Sequence, residues 1–350
     1  MVGGGDPFTI SFPVPLPAER RGEHWWVEAG GHEVRLSNLA KPYWPPDAGG
    51  FTKGDLVGYY LNAGPTMLPY LEGRPLTLKR MPDGIGGRSF YQKDVDEEGL
   101  PDWMTVCRVA THEDEEEGRY DEMLIADSLA ALLHVVNLGC IEMHPYHSRC
   151  DTIDEPDYLV VDLDPMAPAG FEEAIAVAAH VKVLLDGLGL TGYPKTSGAT
   201  GLQVYVPIAP GFGYDDTRAL AGRMGELLVK ADRERVTMDW SVARRGGRVF
   251  FDHRMNRKAA SLAGVYSVRP EPGAPVSTPL TWGEVLEAEV RPQDFTMATV
   301  FTRLDAVGDL FAGVRSDAQD LGPVFDQLGL PRAHTAGAGG TMRRTAAPAD

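Results

Sequence analysis

The chain has no apolar run long enough to cross a bilayer as a helix. Its first residues, MVGGGDPFTISFPVPLP, lack the basic region followed by a continuous apolar stretch that a secretory signal needs. Both absences lead to the expectation of a cytoplasmic protein without a membrane partner. Cysteine is scarce: only Cys107, Cys140 and Cys150 occur, an odd and low number that fits a reducing compartment and argues against a disulfide framework. Positive charge is in deficit as well, with 33 Lys and Arg against 50 Asp and Glu and a formal net charge of -17. A molecule so acidic repels nucleic acid and anionic surfaces as a whole, so any polyanion would have to meet a locally basic groove. No fixed-period repeat is present, which argues against a solenoid or propeller.

What is present reads as an α+β protein. The 350 residues are enough for one large domain or two modest ones. Residues 1–30 and 333–350 are rich in Gly, Pro and Ala without helical or alternating period, and are expected to be flexible extensions of a domain spanning 31–332. Thr52 with Asp55 three residues on predicts a capped helix start, and RPLTLKRM and SFYQK read as strands around the turn PDGIGG. The run THEDEEEGRYDE reads as a solvated loop, followed by the helix SLAALLHVVNLG. FEEAIAVAAHVKVLLDGLGL, ending at Gly189, and a segment over roughly 215–231 have helical spacing, whereas YPKTSGATGLQVYVPI reads as strand, glycine turn, strand. Strands and helices mixed in this way suggest a central mixed sheet flanked by helices, with acidic residues at its strand ends.

The acidic residues carry the chemistry. DYLVVDLDP, residues 157–165, is a buried-strand pattern that ends in Asp162 and Asp164. Alternation in an extended chain puts both carboxylates on one face, close enough to repel, so a cation is expected between them. Two hard carboxylate ligands suit Mg²⁺ or Mn²⁺. D-x-D alone also occurs in caps, calcium loops, sugar-nucleotide transferases and haloacid-dehalogenase-type phosphohydrolases, although the last would continue with Thr or Val where this chain has Pro165 and Met166. Asp252 closes a further apolar strand in RVFFDHRMN, and three carboxylates are a number often used to hold two divalent ions for in-line phosphoryl transfer. KTSGATG, residues 195–201, is a glycine turn whose backbone N–H groups and Ser197 hydroxyl could face an anion, but no Lys-Ser/Thr pair makes it a Walker loop. Cys140, His144, His147 and Cys150 are potential zinc ligands, yet their spacing matches none of the usual finger patterns.

Taken in order, TKGD, GRPLTLKRMPDG, SFYQK, IEMHPYHSR, VVDLDP, KTSGATG, VFFD and YSVRPEPGAPVSTPLTW resemble the polymerase domain of bacterial ligase D, a branch of the archaeo-eukaryotic primase superfamily that serves non-homologous end joining. The resemblance spans about residues 33–290. It implies a primase-like catalytic core and a nucleotidyltransferase that extends primer strands at DNA ends or gaps, with a preference for ribonucleotides. Asp162, Asp164 and Asp252 match its metal-binding carboxylates, which would hold two Mn²⁺ or Mg²⁺ ions. Lys79, His144, Ser197 with Gly198, and Arg269 match groups around the incoming nucleotide, and Gln203 and Lys258 are placed with them. Phe90 and Tyr91 match an aromatic pair that stacks on bases. Lys53 and Lys41 match lysines that grip the 5′-phosphate of a downstream strand.

Two departures stand out. Gln203 occupies a position where the family usually has histidine, and Thr200 one where some members have lysine, so two potential cations are missing from the triphosphate side. No K-x-D-G occurs in the chain, so the nucleotidyl-lysine site of an attached ATP-dependent ligase is not expected here. The implied partners are DNA ends or gaps with a 5′-phosphate, nucleoside triphosphates, Ku and a separate ATP-dependent ligase, in a nucleoid-associated setting. The rival reading is a catalytically weak end-binding module that recruits Ku and a ligase.

Overall fold

The structure is a computed structural model that describes residues 7–110, 120–333 and 341–345. The chain opens with an antiparallel sheet of β1 (Ala18–Arg21), β2 (His24–Ala29) and β3 (His32–Leu36). Helix α1 (Lys53–Met67) follows; Thr52 caps it, and Asp55 reciprocates by accepting the Thr52 N–H, the capping box anticipated from the sequence. Strands β4 (Leu76–Arg80) and β5 (Phe90–Gln92) come next, then the hairpin β6 (Thr105–Ala110) and β7 (Tyr120–Ile125). Most of the acidic run falls outside the described residues. After it come α2 (Leu129–Asn137), β8 (Cys140–Pro145) and β9 (Tyr158–Pro165). The second half contains α3 (Phe171–Gly187), β10 (Tyr193–Thr196), β11 (Leu202–Pro207), α4 (Tyr214–Ala231), β12 (Val236–Thr237) and β13 (Val249–Phe251). A last strand, β14 (Thr341–Arg344), pairs with β6.

The fold is α+β. Its central sheet has the order β10-β11-β9-β13-β12, antiparallel except between β12 and β13. Strand β9 runs through the middle and is apolar on both faces over most of its length. Leu159, Val161 and Leu163 pack with the apolar sides of α3 and α4, whereas Val160 joins the larger core built around α1 and α2. Only toward the C-terminal end of β9 does the second face turn polar, at Asp162 and Asp164. A smaller antiparallel sheet, β5-β4-β8, supplies the facing groups. Among the described residues no helix is long and apolar enough to cross a membrane.

Two expectations need correction. Residues 7–30 are not a loose extension: Thr9 donates its N–H and hydroxyl to Asp55, each at 2.7 Å, Ile10 N–H donates to it at 3.0 Å, and β1 and β2 form a hairpin. A segment held by one buried carboxylate needs no amphipathic period, so its pattern resembled a tail. At the other end, β14 likewise belongs to a sheet. The cysteine expectation also fails, because Cys107 and Cys150 form a disulfide with Cα atoms 6.0 Å apart, and Cys140 is the buried free thiol. They lie 43 residues apart in sequence, and the packing of β6 against the segment after β8 brings them together, which a count of cysteines does not register.

Asp55 is fully buried and serves five donor contacts from Thr9, Ile10 and Thr52. Asp55→Ala orphans them and is expected to cost about 3 kcal/mol in urea unfolding. The same variant should expose residues 7–17 to limited proteolysis while the central sheet stays folded.

Candidate active site

The central sheet gathers the three aspartates. Asp162 faces Gln203 of β11 across the ladder, Asp164 faces Phe250 of β13, and the Asp252 N–H donates to the Asp162 carbonyl at 3.0 Å. Strand alternation and antiparallel pairing thus put the side chain that ends β13 next to the pair that ends β9. Burial and the neighbouring carboxylates raise Asp162 well above the usual carboxylate range. Burial and Asp252 raise Asp164, against the pull of Arg245 and Arg269, and burial raises Asp252. No described lysine or arginine forms an ion pair with any of the three. No group of three or more His, Cys, Asp or Glu among the described residues stands as a ready-made metal cage. The carboxylates nevertheless supply hard oxygen donors whose mutual repulsion a divalent cation would relieve.

Behind Asp162 runs a line of polar groups. The Gln203 amide donates to Asp162 Oδ1 at 2.9 Å and its oxygen accepts from Lys195 Nζ at 2.5 Å. Lys195 also donates to Ser277 Oγ at 2.6 Å and the Ala263 carbonyl at 3.1 Å. It is fully buried, and burial followed by the nearby Arg269 pushes its ammonium down to about 7. Gln203, placed around the nucleotide by the family resemblance, has its amide oxygen and one amide N–H bonded within the sheet, between Lys195 and Asp162. The glycine turn differs from expectation: the N–H groups of Ala199 and Gly201 donate to Ser197 Oγ at 3.2 and 3.0 Å rather than standing free. With its lone pairs so used, the Ser197 hydroxyl can donate outward. Gly198 has φ +77°, and a Cβ there would lie 2.6 Å from Arg269 Cγ and 2.9 Å from the Ser277 nitrogen, so the turn needs glycine.

The facing sheet contributes a second cluster, centred on Glu142. This carboxylate is 1% exposed and receives His144 Nε2 at 2.5 Å, Arg269 Nε at 2.8 Å and Lys79 Nζ at 3.5 Å. Burial pushes it up, but His144, Arg269 and Lys79 outweigh burial and hold it at about 2. Arg269 reaches the Ser197 carbonyl at 2.5 Å with its other arm, which joins the cluster to the glycine turn. Tyr91, paired with Lys79 across β4 and β5, lies edge-on to His144 with ring centroids 5.7 Å apart.

Residues 52–311 match the family model described as LigD, primase-polymerase domain. The chain belongs to this family. The LigD primase-polymerase domain is a nucleotidyltransferase, and the α+β fold agrees with it. The multifunctional non-homologous end joining protein LigD of Mycolicibacterium smegmatis is 32% identical over 307 residues, covering 87% of this chain and 38% of that protein. The bifunctional non-homologous end joining protein LigD of Bacillus subtilis is 30% identical over 281 residues, 79% of this chain and 44% of its own length. The chain thus spans less than half the length of these relatives. Among solved structures, the polymerase domain from Mycobacterium tuberculosis ligase D in complex with DNA superposes with a TM-score of 0.75 at 29% identity, covering 82% of this chain and 99% of that one.

Against the LigD polymerase-domain expectations, the structure brings together Asp162, Asp164, Asp252, Ser197, Gly198, His144, Lys79, Arg269 and Tyr91. Phe90 points to the opposite face of β5, under Arg80 and Arg88, so the aromatic pair does not act as a unit. Lys258 is engaged elsewhere, with Nζ on Asp154 at 2.5 Å, and does not join the cluster. Lys41 pairs with Asp83 at 2.6 Å. Lys53 is buried and donates to the Asn137 carbonyl and side chain at 2.7 and 2.8 Å. A zinc site is ruled out for the histidine-cysteine segment as arranged, since Cys150 is in the disulfide, His144 faces Glu142, and His147 is buried beside Tyr158. Sequence reasoning passed over Lys195 and Glu142 as site residues. Both carried a signal: Glu142 shares the face of His144 two residues on, as Asp162 does with Asp164, and Lys195 is a charge at the end of an apolar strand.

Lys195→Met keeps the stem of the side chain but leaves Gln203 and Ser277 without their donor. Losing a charge-assisted hydrogen bond costs about 1.5–3 kcal/mol, so nucleotide-transfer kcat/KM is expected to fall by about tenfold or more in steady-state extension assays. Far-UV circular dichroism should be unchanged.

Proposed function

We propose that the chain extends a primer strand at DNA ends or gaps by metal-dependent nucleotidyl transfer, with ribonucleotides preferred, in end joining or gap repair. The observation that supports this most is the trio of mutually repelling carboxylates on the central sheet, Asp162 and Asp252 buried and Asp164 half-buried, opposite a cluster of cationic side chains suited to phosphate. Asp162, Asp164 and Asp252 would hold Mn²⁺ or Mg²⁺, which when bound activates a hydroxyl nucleophile and neutralises a polyphosphate. Gln203 and Lys195 keep Asp162 oriented toward that face. Ser197 donates a hydrogen bond to a phosphate oxygen, while Arg269, Lys79 and His144 balance its charge. Tyr91, 60% exposed, offers a ring to a base. Ku and a separate ATP-dependent ligase are the partners proposed for the chain in end joining.

The second reading, an end-binding module without catalysis, is favoured by Gln203, a neutral amide bonded to Asp162 and Lys195, and by the neutral, exposed Thr200. Extension of a labelled primer on a gapped duplex with Mn²⁺ separates the two. Wild type should extend, with ribonucleotides favoured over deoxyribonucleotides, and Asp252→Ala should lose on the order of 10³-fold or more in rate, since a divalent ion supplies several kcal/mol. Salt-sensitive DNA binding with no extension by well-folded wild type would support the module instead.

A downstream 5′-phosphate is proposed to meet Lys53 and Lys41. Burial, and then Lys41 and Arg80, push Lys53 down to about 8, and no described carboxylate pairs with it. The ammonium is present below about pH 8 and lost above it, so a bound dianion is favoured on the acid side. The preference for a 5′-phosphorylated over a 5′-hydroxyl gap should therefore shrink, by up to about tenfold, between pH 7 and 9 in fluorescence anisotropy. Lys53→Met should remove the preference and its pH dependence together.

A further inference from the structure

The groups assigned above to the nucleotide's phosphates share a feature that phosphate binding does not require: they converge on an acid. His144 Nε2, Arg269 Nε and Lys79 Nζ all point at the two oxygens of Glu142, at 2.5, 2.8 and 3.5 Å. An anion beside an anion-binding site would weaken binding if it faced the ligand. Glu142 is 1% exposed, behind the three cations, and so cannot face it. It lies on β8, at one edge of the β5-β4-β8 sheet, opposite Lys79 in the β4–β8 ladder and two residues before His144 on the same strand face.

We propose that Glu142 is a positioning residue for the incoming nucleoside triphosphate, which locks His144 with its Nε2 proton turned inward and holds Arg269 and Lys79 in one arc. The inference rests on the nucleotide reading of this pocket. An imidazole whose Nε2 is held by a carboxylate is fixed in orientation, which leaves Nδ1 as the ring nitrogen for a ligand. The other groups around the ring agree with this arrangement. Thr77 of β4 is opposite His144 in the ladder, Tyr91 of β5 presents its ring edge-on, and Lys79 and Arg269 bond the other oxygen of the same carboxylate. Removing the Glu142 charge therefore disperses a cluster that the ligand needs assembled.

The test is calorimetric binding of Mn²⁺ with the α,β-methylene analogue of UTP to wild type, Glu142→Gln, His144→Ala and the double variant, with steady-state extension in parallel. Glu142→Gln should weaken analogue binding by about tenfold or more and raise KM with kcat changed less than about threefold. The double variant should lose clearly less than the product of the two single losses, because part of the carboxylate's effect runs through the imidazole. A merely structural Glu142 would give additive losses, and additivity, or unchanged binding by Glu142→Gln, overturns the proposal. Wild type that does not bind the analogue overturns the nucleotide reading itself, and the inference with it. Should Glu142→Gln not fold, ¹⁵N imidazole resonances of wild-type His144 decide: a protonated Nε2 supports the proposal and an unprotonated Nε2 overturns it.

Discussion

Like charges forced onto one face of a buried strand are the constraint around which this molecule is arranged. Extended backbone alternates its side chains, so an apolar strand ending in two aspartates one residue apart cannot separate them. Pairing with β13 adds Asp252 to the same place. Burial raises all three toward the protonated state and neighbouring carboxylates raise Asp162 and Asp164 further, an arrangement that a folded protein would discard unless a cation restored the balance.

The layers behind this face alternate in charge. Asp162 meets a neutral amide, the amide meets Lys195, and across the site Glu142 meets three cations. Asp162, Lys195 and Glu142 each have a polar partner that offsets part of their desolvation, and Glu142 is the carboxylate bonded to Lys79, His144 and Arg269. Such networks contribute little net stability compared with apolar packing, because desolvation consumes most of the attraction. The stability comes from the two apolar cores on either face of β9, which let the polar end of the strand be shaped for chemistry.

A chain with a net charge of -17 nevertheless has locally cationic regions. Lys79, Arg269, His144 and Lys195 lie within one region, and Lys41, Lys53 and Arg80 form another near α1. The surplus of acid elsewhere opposes nonspecific contact with nucleic acid.

Much of this was legible before any coordinates. The capping box at Thr52, the helices, the glycine hairpin, the D-x-D strand and Asp252 follow from period, cap and turn chemistry, which are local and survive in a one-dimensional pattern. Sequence motifs also brought His144, Ser197, Lys79 and Arg269 to one site through their family resemblance. What only the tertiary structure decided is which polar groups meet. Gln203 turned inward to Lys195 because β10 and β11 pair in that register; Phe90 faced away because β5 alternates; Lys258 went to Asp154; residues 7–10 folded onto Asp55; and Cys107 found Cys150. Each of these depends on a contact between residues distant in sequence, fixed by strand register and packing, and no local pattern encodes it.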